Sequence, residues 1–126
     1  MQEISFGLQG RTVAVTGAAR GIGLAVSEHL AEQGANVVLA DLDEAAAQAA
    51  AAAMGESGGE AIAMAADVRR KSDMEDLVAL AVERFGRLDG MINNAGIRNL
   101  YQVHEIAEAD WDAVIEVNLK GVFLSA

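Results

Sequence analysis

The chain has 126 residues, with 19 acidic against 9 basic side chains and a formal charge of −10 at pH 7. That sign repels nucleic acid and anionic membrane surfaces, and the longest basic run is only Arg69, Arg70, Lys71. The 52% apolar content comes in short pieces and the first twenty positions carry Glu3 and Arg11, which predicts neither a signal peptide nor a membrane span.

The absence of cysteine leaves no disulfide framework and no thiolate chemistry, which fits a reducing compartment, and the cytoplasm is the expected location. A chain of this length suffices for one domain over 1–126, burying roughly two-thirds of its unfolded surface. Complete open α/β nucleotide-binding enzymes usually need about 250 residues. The chain therefore reads as a fragment or an unusually short relative.

Taken in order, the predicted elements alternate. A strand at Thr12–Thr16 (TVAVT) leads to a helix at Gly21–Gln33, and a strand at Asn36–Ala40 (NVVLA) to a helix at Asp43–Met54. A third strand spans Glu60–Ala66 with a helix at Ser72–Phe85, and a fourth spans Asp89–Asn93 with a last helix from about Glu108 onward. The strands are short, continuous and β-branched, as a sheet covered by helices on both faces requires. Gly34 is placed for a left-handed cap after the first helix, and Gly55, Gly58 and Gly59 after the second. Ser72 and Asp73 offer N-cap chemistry for the third helix, with Glu75 completing a capping box. The alanine run Ala45–Ala53 reads as a smooth outer helix. Met74, Leu77, Val78, Ala81 and Phe85 form one apolar stripe, and Trp111, Val114, Ile115, Leu119 and Phe123 a second.

Right-handed crossovers then predict a three-layer, doubly wound parallel sheet, the first half of a Rossmann fold, in strand order 3-2-1-4. Ligands in such sheets sit where the direction of winding reverses, outside the carboxyl ends of the strands.

At that position stands Thr16-Gly17-Ala18-Ala19-Arg20-Gly21-Ile22-Gly23, between a strand and a helix. Gly17 permits a tight turn, Gly21 and Gly23 let backbone approach a pyrophosphate, and the helix start at Ile22 offers N–H donors. Asp41, eighteen positions after Gly23 and followed by Leu42, can accept hydrogen bonds from ribose hydroxyls and would repel a 2′-phosphate. The alternative is that Asp41 caps the next helix with Asp43 and Glu44. Arg20 pulls the other way, since a guanidinium could accept a 2′-phosphate. With Asp41 weighted above Arg20, NAD is expected ahead of NADP.

The spacing of Thr16 to Gly23, the Asp67-Val68 pair after the third strand, Asn93-Asn94-Ala95-Gly96 after the fourth and Asn118 twenty-two residues later together resemble the short-chain dehydrogenase/reductase family. The likeness runs from Leu8 onward. It implies an NAD(P)-dependent oxidoreductase that moves hydride between a secondary alcohol and a ketone. Asp67 would then bond the adenine amine and the Val68 backbone the ring, while Asn93, Asn94, Ala95 and Gly96 support the fourth strand and approach the cofactor ribose. Asn118 matches the family's active-site asparagine, which interrupts its helix and holds a water in a proton relay. Without the resemblance, an asparagine in EVNLKG is more often a helix irregularity or a buried amide satisfied by backbone. In the family the last helix packs against its symmetry mate, so homo-oligomerisation is also implied.

One departure is specific. The family uses a tyrosine, a lysine four residues later and a serine. Here the single tyrosine, Tyr101, is followed four residues later by Glu105, the only lysines are Lys71 and Lys120, and Ser125 comes too early to match. The chain alone is thus expected to be inactive, either as part of an enzyme or as a non-enzymatic, self-associating nucleotide-binding module. His29 and His104 are too isolated to suggest a metal.

Overall fold

The computed structural model describes residues 4–56 and 60–126. Its elements are β1 (Thr12–Thr16), α1 (Gly21–Glu32), β2 (Asn36–Asp41), α2 (Glu44–Glu56), β3 (Ala61–Ala65), α3 (Lys71–Phe85), β4 (Gly90–Ile92), α4 (Glu108–Ile115) and α5 (Gly121–Ser125). A 3-10 turn at Val103–Glu105 precedes α4, and a π turn at Glu116–Lys120 joins α4 to α5. The four strands are parallel in the order β3-β2-β1-β4.

Alternation along the strands sorts side chains between two helical layers. Val13 and Val15 of β1 and Val37 and Leu39 of β2 pack with Ala31 of α1 and Ala51 and Met54 of α2. Ala14, Val38 and Ala40 point the opposite way, against Met74, Leu77 and Ala81 of α3. Every residue of β1 is buried, which explains why this strand alternates nothing with water. In α2, Ala47, Ala51 and Met54 are the buried positions, one stripe at helical spacing, so the alanine-rich helix is indeed smooth where it meets the sheet.

Several boundaries differ from expectation. Gly55 lies inside α2 instead of ending it, and Gly58 and Gly59 lie outside the described residues. Ser72 and Asp73 do not cap α3. The helix begins at Lys71 after an extended Arg70, with no side-chain cap, and the Asp73 carboxylate accepts the Asp67 N–H at 2.9 Å, tying down the loop after β3. Glu75 instead faces Lys71 one turn away, at 3.6 Å. Gly34 and Gly86 do adopt left-handed conformations just after α1 and α3.

The two predicted apolar stripes fare differently. In α3, Met74, Leu77 and Ala81 are buried, while Val78 turns out to solvent because it sits beside, not on, the line facing the sheet. Along α4 to α5, Trp111, Leu119 and Phe123 are all exposed, and only Gly121 is buried. Most of that stripe is surface in this chain, with Val114 alone half-buried. Among the described residues, no helix is long and apolar enough to cross a membrane.

Candidate functional site

The β1–α1 turn is built by close backbone approach. Gly17 takes φ +63°, a region costly for any residue with a Cβ, and a Cβ there would lie 2.9 Å from the Ala95 Cα. A Cβ on Gly23 would collide with the Gly17 carbonyl oxygen and the Asn94 side chain. Around Gly21 the space is open. α1 starts after an extended Arg20 and no side chain caps it, leaving first-turn N–H donors for a ligand or water.

The strand ends hold this turn in place. The Asn94 side-chain amide donates to the Gly17 carbonyl at 3.1 Å, and the Ala95 N–H donates to the Thr16 hydroxyl at 3.1 Å. From the other side, Asp41 accepts the Ala19 N–H at 3.0 Å and the Asp43 N–H at 2.9 Å, one on each oxygen. Asp41 therefore does organise the start of α2, as one reading anticipated, yet it is Asp43 that caps the helix, accepting the Ala46 N–H at 3.1 Å. A carboxylate has about four acceptor positions, so Asp41 retains capacity for hydroxyl donors. The Ala46 N–H first, then the Arg20 guanidinium, lowers the pKa of Asp43.

Asp67 is held by Arg69. The guanidinium donates to both carboxylate oxygens, the shortest bond being 2.7 Å, and this pairing holds the carboxyl below its ordinary pKa while raising that of Arg69. Asn118 sits inside the π turn, where the helix widens as the family resemblance implies. Its side chain makes two bonds to one residue: the amide nitrogen donates to the Ile97 carbonyl and the amide oxygen accepts the Ile97 N–H, both at 2.8 Å. It thus clamps the segment after β4 to the last helix; the amide is bonded to backbone, as one reading anticipated, but is exposed and not buried. Asn93 is engaged with the Ser125 hydroxyl.

A cavity of about 380 Å³ opens at the carboxyl ends of the strands. Of the residues singled out in the sequence, it is lined by Gly17, Arg20, Asp41, Leu42, Asp67, Val68, Asn94, Ala95 and Gly96. Gly21, Ile22, Gly23, Asn93 and Asn118 do not line it; they shape or flank it. Four lining residues were not anticipated, namely Ala66, Arg69, Ile97 and Val117. Arg69 had a usable signal, since it lies two positions after Asp67. Val117 had none, because its entry into the cavity depends on how the last helix is docked.

The cavity passes the tests a dinucleotide sets. Backbone comes close where a Cβ would be excluded, helix N–H groups stand uncapped, and a carboxylate with spare acceptor capacity lies on the rim. Tyr101 is exposed and does not line this cavity, and Glu105, at the position where a lysine is sought, accepts the Gln102 N–H. Among the described residues no group of three or more His, Cys, Asp or Glu could hold a metal.

Comparison with known proteins agrees with this fold. Residues 11–126 match the short chain dehydrogenase family. The chain is 37% identical over 118 residues to a (2S)-[(R)-hydroxy(phenyl)methyl]succinyl-CoA dehydrogenase subunit from Thauera aromatica, covering 94% of this chain and 48% of that protein. It is 37% identical to glucose 1-dehydrogenase 2 of Bacillus subtilis, covering 94% of this chain and 47% of that one. A crystal structure of a short-chain dehydrogenase/reductase, a glucose/ribitol dehydrogenase from Brucella melitensis, superposes with a TM-score of 0.90 at 40% identity, covering 97% of this chain and 51% of that chain. The chain spans about half the length of the relatives it matches.

Proposed function

The chain belongs to the short-chain dehydrogenase/reductase family, and on that premise we propose that it forms the dinucleotide-binding half of an oxidoreductase acting between a secondary alcohol and a ketone, with NAD preferred over NADP. When bound, the dinucleotide supplies the hydride donor or acceptor. The chain's own residues do the holding. Uncapped N–H groups at the start of α1 receive the pyrophosphate, Asp41 accepts the adenosine ribose hydroxyls, Asp67 and the Val68 backbone take the adenine, and Asn94 to Gly96 form the wall beneath the second ribose.

The observation that carries this reading is the bond from the Ala19 N–H to Asp41, which joins the glycine turn and the acidic strand end at one cavity rim. Glucose 1-dehydrogenase 2 and the diacetyl reductase of Staphylococcus epidermidis, 39% identical over 111 residues, lend the alcohol and ketone chemistry by similarity. No tyrosine in these 126 residues is followed four positions later by a lysine. The proton-transfer group is therefore not among them, and we expect no alcohol-dependent NADH formation from the chain alone. The exposed stripe along α4 and α5 and the open edge of β4 favour self-association as a further property. The lack of cysteine fits a reducing compartment, and the cytoplasm is the location we propose.

Calorimetric titration tests the binding claim. NAD should bind saturably and more tightly than NADP, and Asp41→Ala should narrow that difference. Unchanged affinities for both in the variant would contradict the role given to Asp41.

A further inference from the structure

This inference rests on the nucleotide-binding reading and concerns how the site tells the two dinucleotides apart. Two cations line the cavity, Arg20 and Arg69. Arg69 is bound to Asp67. Arg20, the one close to Asp41 in the glycine turn, has its Nη2 at 2.5 Å from Asp43 Oδ2.

Asp43 is not a loose surface acid. Its N–H donates to Asp41, and its Oδ1 accepts the Ala46 N–H, so backbone and carboxylate are both oriented before Arg20 arrives. The remaining oxygen is the one that meets the guanidinium. Asp43 itself does not line the cavity, so it acts on a ligand through Arg20.

We infer that Asp43 is a specificity-determining residue: by occupying Arg20 it withdraws the cation that would otherwise receive a 2′-phosphate, and so keeps the site selective for NAD. Asp41 alone does not account for selectivity in a chain that also carries an arginine in the phosphate turn, since a freed guanidinium beside the ribose would offset the carboxylate. With Arg20 paired to Asp43, the Asp41 carboxylate on the cavity wall is opposed by a positive charge that is already shared. The ion pair is exposed, its side chains 70% and 47% accessible, so its effect is screened and moderate.

The test is an affinity comparison on the chain with NAD and NADP at fixed ionic strength. Asp43→Asn retains an oxygen to cap α2 while removing the charge. It should raise NADP affinity about three- to tenfold and leave NAD within about twofold, with the gain shrinking as salt rises. Adding Arg20→Gln should abolish the gain. An unchanged ratio of affinities in a variant that melts like the parent would overturn the inference, as would a gain that survives Arg20→Gln, which would mean that Asp43 acts on the phosphate directly. Failure of the parent chain to bind either dinucleotide is a separate result: it would remove the nucleotide-binding reading, and the inference with it.

Discussion

Leu77 and Leu119 are the same side chain on helices of the same sheet, each placed on an apolar stripe. Leu77 is fully buried between α3 and the sheet, whereas Leu119 is 65% exposed. The contrast holds for whole regions. β1 and β2, with α1, α2 and α3 around them, form a closed core, while β4 is a three-residue strand whose residues are only partly buried, followed by a helical segment that packs Val117 and Leu124 inward but leaves Trp111, Leu119 and Phe123 exposed. A helical apolar period thus reports that a face is suited to burial, and the partner that covers it has to come from elsewhere in the structure.

The two regions should separate in stability. Leu77→Ala leaves a cavity in the closed core and is expected to cost about 2–5 kcal/mol, measured by urea unfolding. An effect under about 1 kcal/mol would mean that α3 is not docked as described.

Next in size, Gly23→Ala drives a methyl group into the Gly17 carbonyl and the Asn94 side chain. A loss of about 1–3 kcal/mol is expected, together with weakened dinucleotide binding. Retention of both parent stability and binding would show that the turn can give way more than its close contacts allow.

The seam between the regions is electrostatic. Asp89, just before β4, accepts from Arg87 and Arg11 and from the Thr12 N–H at 2.8 Å, and the Arg87 pairing foremost holds its carboxyl well below the usual range. A carboxyl whose pKa is lower folded than unfolded stabilises the fold above the unfolded value of about 3.9, and that contribution fades as pH falls below it. Asp89→Asn should therefore lower stability at neutral pH and flatten the acid limb of the stability profile. A parallel downward shift at every pH would argue against titration of this group.

The smallest effect is expected at Leu119→Ala. In dilute solution it should change stability by less than about 0.5 kcal/mol. If copies associate through this face, the same substitution should shift the sizing profile toward monomer and red-shift the emission of Trp111, the only tryptophan. A large loss of stability at all concentrations would instead place Leu119 in the core.

Much of the fold was legible because local and global preferences coincide in the first three βα units. Runs such as VAV and VVL have no polar face to misassign, and right-handed crossovers leave a single strand order. Helix starts were less legible. Asp73 carries cap chemistry, but its carboxylate serves the Asp67 N–H across the loop, a tertiary bond that no local window contains. At the site, the glycines and Asp41 were readable from their place between strand and helix, and the Asn93–Gly96 segment only through the family resemblance. The pairing of Arg20 with Asp43 was not, since it joins residues twenty-three positions apart on different loops. The pairing of Asn118 with Ile97 was hidden for the same reason.

The central claim is that the β1–α1 turn and the end of β2 together receive a dinucleotide. Amide chemical shifts of the isotopically labelled chain, followed during titration with NAD, test this most directly. Saturable shifts should concentrate at Gly17 to Gly23, at Asp41 and Leu42, and at Asn94 to Gly96. Shifts confined to the opposite end of the sheet, around Gly10, Gly34 and Glu60, or none at millimolar NAD, would contradict it.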